Sequence, residues 1–122
     1  MDIVLGISKS DLRLSLDLLL SEEPGVNIVG TASETAGLKA LLETTRPQIV
    51  LADWNLPNGT IADLLAELCA REKHPAFIVM SGSRTALAAA FTAGADACVL
   101  KGESPRHLMA AFRQIRKEAE RF

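Results

Sequence analysis

The sequence is poor in aromatic residues: of its 122 residues, none is Tyr, one is Trp and four are Phe. Cysteine is scarce as well, and the two that occur, Cys69 and Cys98, are too far apart to form a Cys-x-x-Cys motif. Both lie within apolar segments. This usage excludes a disulfide framework and indicates buried, reduced thiols, as expected of a cytoplasmic protein.

The chain also lacks a strong excess of charge and a long apolar run. Its formal net charge is −2, so no basic field attracts nucleic acid, and direct contact of this segment with DNA or RNA is not expected. No apolar run approaches the roughly 20 residues of a membrane-spanning helix, and no signal peptide opens the chain. We therefore expect a cytoplasmic protein that has no membrane partner.

What the chain does contain is enough apolar material for one core. Hydrophobic residues make up 48% of the sequence and charged residues 23%, which is typical of a globular protein and excludes disorder. The length fits one domain, residues 1–122, and excludes an enzyme with a cleft between two lobes.

Short apolar runs alternate with segments of helical periodicity along the whole chain. The runs, mostly rich in Val and Ile, predict strands at residues 2–7, 26–32, 48–53, 76–81 and 96–100. The segments between them predict helices at residues 10–22, 33–45, 60–72, 84–93 and 104–122, the last opened by Ser104 as N-cap and Pro105. Apolar strands that alternate with helices indicate a parallel sheet covered on both faces. We expect an α/β fold, a three-layer (βα)5 sandwich.

The residues at the ends of these strands are the ones to consider for chemistry. In parallel α/β sheets, ligands bind at the edge where the carboxyl ends of the strands lie. The predicted strands end at Ile7 and Ser8, at Asp53, at Ser81 with Gly82, and at Lys101. A carboxylate, a hydroxyl and an amine from different strands are therefore expected to converge at one edge.

Three segments make this pattern specific. Residues 51–57 (LADWNLP), 79–82 (VMSG) and 94–101 (GADACVLK) resemble, in order and spacing, the motifs of response regulator receiver domains. Shorter matches at Arg13 with Leu16, Gly30 with Ala32, Arg46-Pro47 and Ser104-Pro105 are similar to receivers that precede a helix-turn-helix output domain. The resemblance covers essentially the whole chain and implies the flavodoxin-like fold with strand order 2-1-3-4-5.

The resemblance also implies roles for the residues at the strand ends. Asp53 matches the family's phosphoacceptor, which takes a phosphoryl group from a phosphohistidine on a sensor histidine kinase or phosphotransfer protein. Lys101 and Ser81 match the residues that hold the phosphoryl oxygens, and Gly82 leaves space for the group. Such a domain is a signalling module of two-component systems and not an enzyme. Phosphoryl transfer needs mainly positioning and charge neutralisation, which a carboxylate, a cation and a hydroxyl can supply.

The sequence departs from the family where the metal would bind. The family carries an acidic pair directly after strand 1 that holds Mg²⁺, and the matching positions here are Ile7 and Ser8. No acidic residue occurs between residues 3 and 10. Asp53, with at most the backbone of Asn55, is a weak host for Mg²⁺, since Lys101 already balances its charge. We expect poor metal binding and slow or absent phosphorylation by small phosphodonors. Lys9 is either a solvated loop lysine or, if turned inward, a further positive charge.

The second departure concerns the family's conformational switch. When the Ser or Thr at the Ser81 position moves to the phosphoryl group, an aromatic residue three positions before the lysine turns inward. That position is Cys98 here, so the aromatic member of the switch is missing.

Helix 1 carries two leucines on its polar side. Leu14 and Leu18 lie opposite the positions that are expected to be buried, where the family tends to be polar. Isolated exposed leucines are common and need no function. Alternatively, they form a contact with a protein partner or with a second copy of the chain.

Three functions remain open from the sequence. The first is a phosphoacceptor receiver. The second is a pseudo-receiver, a phosphorylation-independent interaction module in which Asp53 and Lys101 form a salt bridge without metal. The third, a nucleotide or small-molecule binder, finds no G-x-x-x-x-G-K-[ST] or G-x-G-x-x-G motif and is remote.

Overall fold

Strands and helices alternate throughout the computed structural model, which describes residues 1–119. The strands are β1 (Asp2–Gly6), β2 (Asn27–Ala32), β3 (Ile49–Asp53), β4 (Ala76–Ser81) and β5 (Ala97–Leu100). The helices are α1 (Ser10–Ser21), α2 (Thr35–Thr45), α3 (Ile61–Cys69), α4 (Arg84–Ala93) and α5 (Pro105–Ala119). The part of the last predicted helix at residues 120–122 lies outside the described residues.

All strand pairs are parallel, and the sheet has the order β2-β1-β3-β4-β5. The predicted fold class and strand order are therefore confirmed. The register shifts once, where Ile3 pairs with Ile28 but Val4 pairs with Gly30. This bulge lies on the edge strand β2, whose side chains alternate between exposed and half-buried, in contrast to the fully buried β3.

Two hydrophobic clusters cover the two faces of the sheet. On one face, Leu16 and Leu20 of α1 and Phe112 of α5 pack against strand residues such as Ile3 and Leu51. On the other face, helices α2, α3 and α4 pack against β1, β3 and β4, with Phe77 fully buried at the centre. The result is the expected three-layer sandwich with the sheet in the middle.

Polar side chains cap the starts of α3, α4 and α5. The Thr60 side chain accepts a hydrogen bond from Asp63 N (3.2 Å) at the start of α3, and the Ser83 side chain accepts one from Ala86 N (3.3 Å) at the start of α4. The Ser104 hydroxyl accepts a bond from Arg106 N (3.2 Å), and α5 begins at Pro105 as its sequence predicts. These bonds satisfy backbone N–H groups that have no partner inside the helix.

Cys69 and Cys98 are both free and half-buried. Burial raises the pKa of each thiol, and the nearby carboxylate of Asp96 raises that of Cys69 further. No helix in the described part of the chain is both long and apolar enough to cross a membrane.

Candidate functional site

The carboxyl ends of three adjacent strands bring the predicted site residues to one edge of the sheet. Asp53 is the last residue of β3, Ser81 the last residue of β4, and Lys101 directly follows β5. Lys101 N donates a hydrogen bond to Ser81 O (2.8 Å), which extends the pairing of β4 with β5 by one residue. Because the strands are parallel, the three side chains start from the same edge.

The centre of this edge is an ion pair between Asp53 and Lys101. Lys101 Nζ donates to Asp53 Oδ2, while the backbone N–H of Asn55 donates to Asp53 Oδ1 (3.0 Å). The side chain of Asp53 is 5% exposed and that of Lys101 28% exposed. A carboxylate this well buried needs a partner for its charge, and Lys101 supplies it.

Backbone contacts fix the segment that follows Asp53. Trp54 N donates to Met80 O (2.8 Å), and Leu56 N donates to Asp53 O (3.1 Å). The Leu56 side chain is buried. These contacts make a tight turn out of β3 and place the Asn55 amide on the carboxylate.

Ser81 and Gly82 form the neighbouring part of the edge. The Ser81 side chain is fully buried, and its oxygen accepts a bond from Ser83 N (3.2 Å). Gly82 is exposed, and a side chain added there would meet no atom within 4 Å. The space in front of Gly82 is therefore open, and neither packing nor backbone conformation requires a glycine.

The loop after β1 contributes no carboxylate. Ile7 N donates to Ala32 O (3.0 Å), and the Ile7 side chain is fully buried in the core beneath α1 and α5. Ser8 and Lys9 are exposed. The two positions that match the family's acidic pair thus hold a core residue and a surface hydroxyl.

Cys98 lies on β5 and contacts helix α4. Its thiol is 3.5 Å from Leu87 O and packs beside the α2, α3 and α4 cluster. The residue at the aromatic position of the family's switch is therefore a small side chain, half-buried against α4.

A model of a known protein family matches most of the chain. The family model described as the response regulator receiver domain matches residues 9–113. The chain belongs to this family. Receiver domains of response regulators are signalling modules of two-component systems.

Similar proteins agree with this membership. The nitrate/nitrite response regulator protein NarL of Escherichia coli K12 is 30% identical over 105 residues, which are 84% of this chain and 49% of NarL. The probable transcriptional regulatory protein SgaR of Hyphomicrobium methylovorum is 29% identical over 102 residues, 82% of this chain and 48% of SgaR. The receiver therefore spans about half the length of the curated relatives it matches.

The response regulatory domain of the Klebsiella pneumoniae protein mrkE shares the fold. Its crystal structure superimposes with a TM-score of 0.91, at 15% identity, over 100% of both chains. At this identity the likeness concerns the fold alone.

The site residues of this receiver do not fit the Mg²⁺ that the family uses. Within residues 1–119, no group of three or more His, Cys, Asp or Glu side chains could hold a metal ion. Ile7 offers no ligand, and one oxygen of Asp53 already accepts from the ammonium of Lys101. Mg²⁺ prefers several oxygen ligands that include one or two carboxylates.

Leu14 and Leu18 lie on the solvent side of α1, as their helical spacing predicts. Their side chains are 61% and 63% exposed. One turn apart on the same helix, they form a small exposed apolar surface.

Sequence reasoning missed one residue that contacts this edge. Thr35, the first residue of α2, is buried, and both its backbone N–H and its hydroxyl donate to the loop after β3. The helix was predicted to begin at residue 33, and a threonine near a helix start gives no signal of a contact with a loop more than twenty residues further along the chain.

Proposed function

We propose that this receiver accepts a phosphoryl group on Asp53 from a phosphohistidine of a sensor histidine kinase or phosphotransfer protein. The observation that carries the proposal is the ion pair at the carboxyl edge, where a buried carboxylate meets the ammonium of Lys101. This pair supplies both the nucleophile and the cation that phosphoryl transfer requires.

The transfer would proceed by in-line displacement. An oxygen of Asp53 forms a bond to phosphorus while the bond between phosphorus and the imidazole nitrogen breaks, and the imidazole leaves with the electron pair of that bond. The ammonium of Lys101 then moves from the carboxylate to the phosphoryl oxygens, where the negative charge now lies. The Ser81 hydroxyl, and the open space at Gly82, accommodate the group.

The charges at the site indicate that this transfer is slow. Asp53 and Lys101 sum to zero before the reaction. The acyl phosphate would carry about −1.5 to −2 charges in place of the single negative charge of the carboxylate, so the site becomes net negative, and the residues at this edge include no acidic pair to recruit a compensating Mg²⁺. We therefore expect inefficient phosphorylation by small phosphodonors, and a need for a protein donor that positions its phosphohistidine.

The second candidate function is a pseudo-receiver that binds a protein partner without being phosphorylated. One specific observation favours it: both oxygens of Asp53 already have donors, Lys101 Nζ and Asn55 N, without any metal. Such a site is stable as it stands and lacks the electrostatic need for Mg²⁺ that a cluster of carboxylates has.

Trp54 offers a direct test, since it is the only tryptophan and adjoins Asp53. If Asp53 accepts a phosphoryl group, a beryllium fluoride phosphoryl mimic should change the Trp54 fluorescence saturably. Because the site is a poor host for Mg²⁺, the response should need that ion at millimolar concentration. An Asp53→Ala variant should not respond. A silent titration of the unmodified chain, together with no phosphoryl uptake from acetyl phosphate or a phosphorylated histidine donor, supports the pseudo-receiver and excludes the phosphoacceptor.

The wider context is part of the same proposal. We propose that residues 1–122 form one receiver unit, that it acts in the cytoplasm, and that it makes no direct nucleic-acid contact. In a longer protein it would precede a helix-turn-helix output domain.

We also propose that Leu14 and Leu18 form a contact surface for the kinase or phosphotransfer protein or for a second copy of the chain. The double variant Leu14→Glu/Leu18→Glu should weaken that association. If elution volume and partner binding do not change, the surface has no such role.

A further inference from the structure

Thr35, at the start of α2, makes two hydrogen bonds to the loop that follows Asp53. Its backbone N–H donates to Pro57 O (2.8 Å), and its hydroxyl donates to Leu56 O (2.9 Å). Thr35 is 6% exposed. Two successive carbonyls of the loop are thus held by one buried threonine from another element.

The backbone of the loop turns directly after these two carbonyls. Asn58 and Gly59 both have positive φ, 57° and 130°. A Cβ atom at Gly59 would lie 3.0 Å from Cβ and Cγ2 of Thr35. The loop therefore folds back over the threonine side chain so closely that it needs a glycine at that point.

The same loop holds the phosphoacceptor carboxylate at its other end. Asn55 N donates to Asp53 Oδ1 (3.0 Å), and the next residue, Leu56, carries the carbonyl that Thr35 binds. Leu56 N in turn donates to Asp53 O (3.1 Å). We propose that Thr35 is a positioning residue: it fixes the Asn55–Leu56 backbone so that the Asn55 amide holds Asp53 Oδ1, which leaves Oδ2 directed at Lys101.

This arrangement matters for the reaction. Because the Asn55 amide binds Oδ1 of Asp53, it fixes the rotamer of the Asp53 side chain and leaves Oδ2 facing Lys101. The effect of Thr35 on the rate of phosphoryl transfer rests on the proposed function, whereas its effect on the position of the Asn55 amide does not. The two can be tested separately.

The first test is amide hydrogen exchange of Asn55, read residue by residue by NMR in Thr35→Val. The valine keeps the shape of the side chain but removes the hydroxyl. We expect the Asn55 amide to exchange roughly tenfold faster, and its proton resonance to move upfield, because one hydrogen bond that holds the loop is gone. Thr35→Ser, which restores a hydroxyl, should recover both signals.

Thr45→Val is the matched control, since Thr45 also donates its hydroxyl to a backbone carbonyl, Leu41 O (2.7 Å), at the other end of α2. It should leave Asn55 unchanged. If Thr35→Val does not fold, Gly59→Ala perturbs the same contact from the loop side and should change Asn55 in the same direction. An Asn55 amide that is unchanged in Thr35→Val, or equally changed in Thr45→Val, overturns the proposal.

The second test is the rate of phosphoryl uptake from a histidine-phosphorylated donor. Thr35→Val should lower it about tenfold, because the attacking carboxylate is less well oriented, and Thr35→Ser should restore it. If the unmodified chain takes up no phosphoryl group, the phosphoacceptor function fails, while the exchange of the Asn55 amide still decides the role of Thr35. A normal uptake rate in Thr35→Val contradicts the positioning role.

Discussion

The ion pair at the carboxyl edge should make Lys101 important for stability, whether or not Asp53 accepts a phosphoryl group. The perturbation is Lys101→Met, which keeps most of the apolar stem and removes the ammonium. Asp53, only 5% exposed, then retains the Asn55 amide on Oδ1 and loses its charge partner on Oδ2.

The size of the effect follows from burial. Removing one partner of a fully buried pair costs about 3–5 kcal/mol. Here the Lys101 side chain is 28% exposed, so water reaches the vacated position and reduces the penalty. We expect the free energy of unfolding to fall by about 2 kcal/mol, which corresponds to a melting temperature lower by roughly 6–10 °C.

The assay is urea denaturation followed by far-UV circular dichroism, arranged as a double-mutant cycle with Asp53→Asn. The double variant should lose less stability than the sum of the single variants, with a coupling energy of about 1–2 kcal/mol. Lys73→Met, at an exposed lysine before β4, is the control and should change stability by less than about 0.5 kcal/mol. Additive single variants, or a Lys101→Met chain as stable as the control, would refute the role of the pair.

Three further predictions follow from other parts of the molecule. Ser8→Asp places a carboxylate in the exposed loop after β1. The apparent affinity for Mg²⁺, read from Trp54 fluorescence, should rise at least about tenfold, whereas the uncharged control Ser8→Asn should not raise it. Phe112→Ala empties a position that is 1% exposed beneath the sheet and should cost about 3–5 kcal/mol by urea denaturation; a cost below about 1 kcal/mol contradicts the assigned core. Because burial raises the pKa of both thiols, Cys69 and Cys98 should react with iodoacetamide more slowly than a free cysteine at pH 8, and the rates should keep rising as the pH passes above the ordinary thiol range. Rates equal to free cysteine at pH 8 would contradict this.

Much of the fold could be predicted from the sequence because each strand is a short apolar run flanked by polar residues. The buried strand β3 begins one residue later than predicted and ends at Asp53 as predicted. Two helix ends differ from the sequence prediction by more than one residue: α2 begins at Thr35 and not at residue 33, because Glu34 is still extended, and α3 ends at Cys69 and not at residue 72. The periodic spacing of apolar residues continues past these ends, whereas the helical conformation of the backbone stops there.

The contact between Asp53 and Lys101 joins residues 48 positions apart. It could be expected because both residues end parallel strands and match a family motif. The contacts of Thr35 could not, since they depend on how the loop after β3 folds over α2 and no periodicity encodes them. The burial of Ile7 likewise required the structure, which shows that this position belongs to the core rather than to the site.

The most direct test of the central claim is the intact mass of the chain after incubation with a histidine-phosphorylated phosphotransfer protein. If Asp53 is the phosphoacceptor, the chain gains one phosphoryl group, the group is released by hydroxylamine as expected of an acyl phosphate, and Asp53→Asn gains none. An unmodified mass, or an equal gain by Asp53→Asn, contradicts the claim.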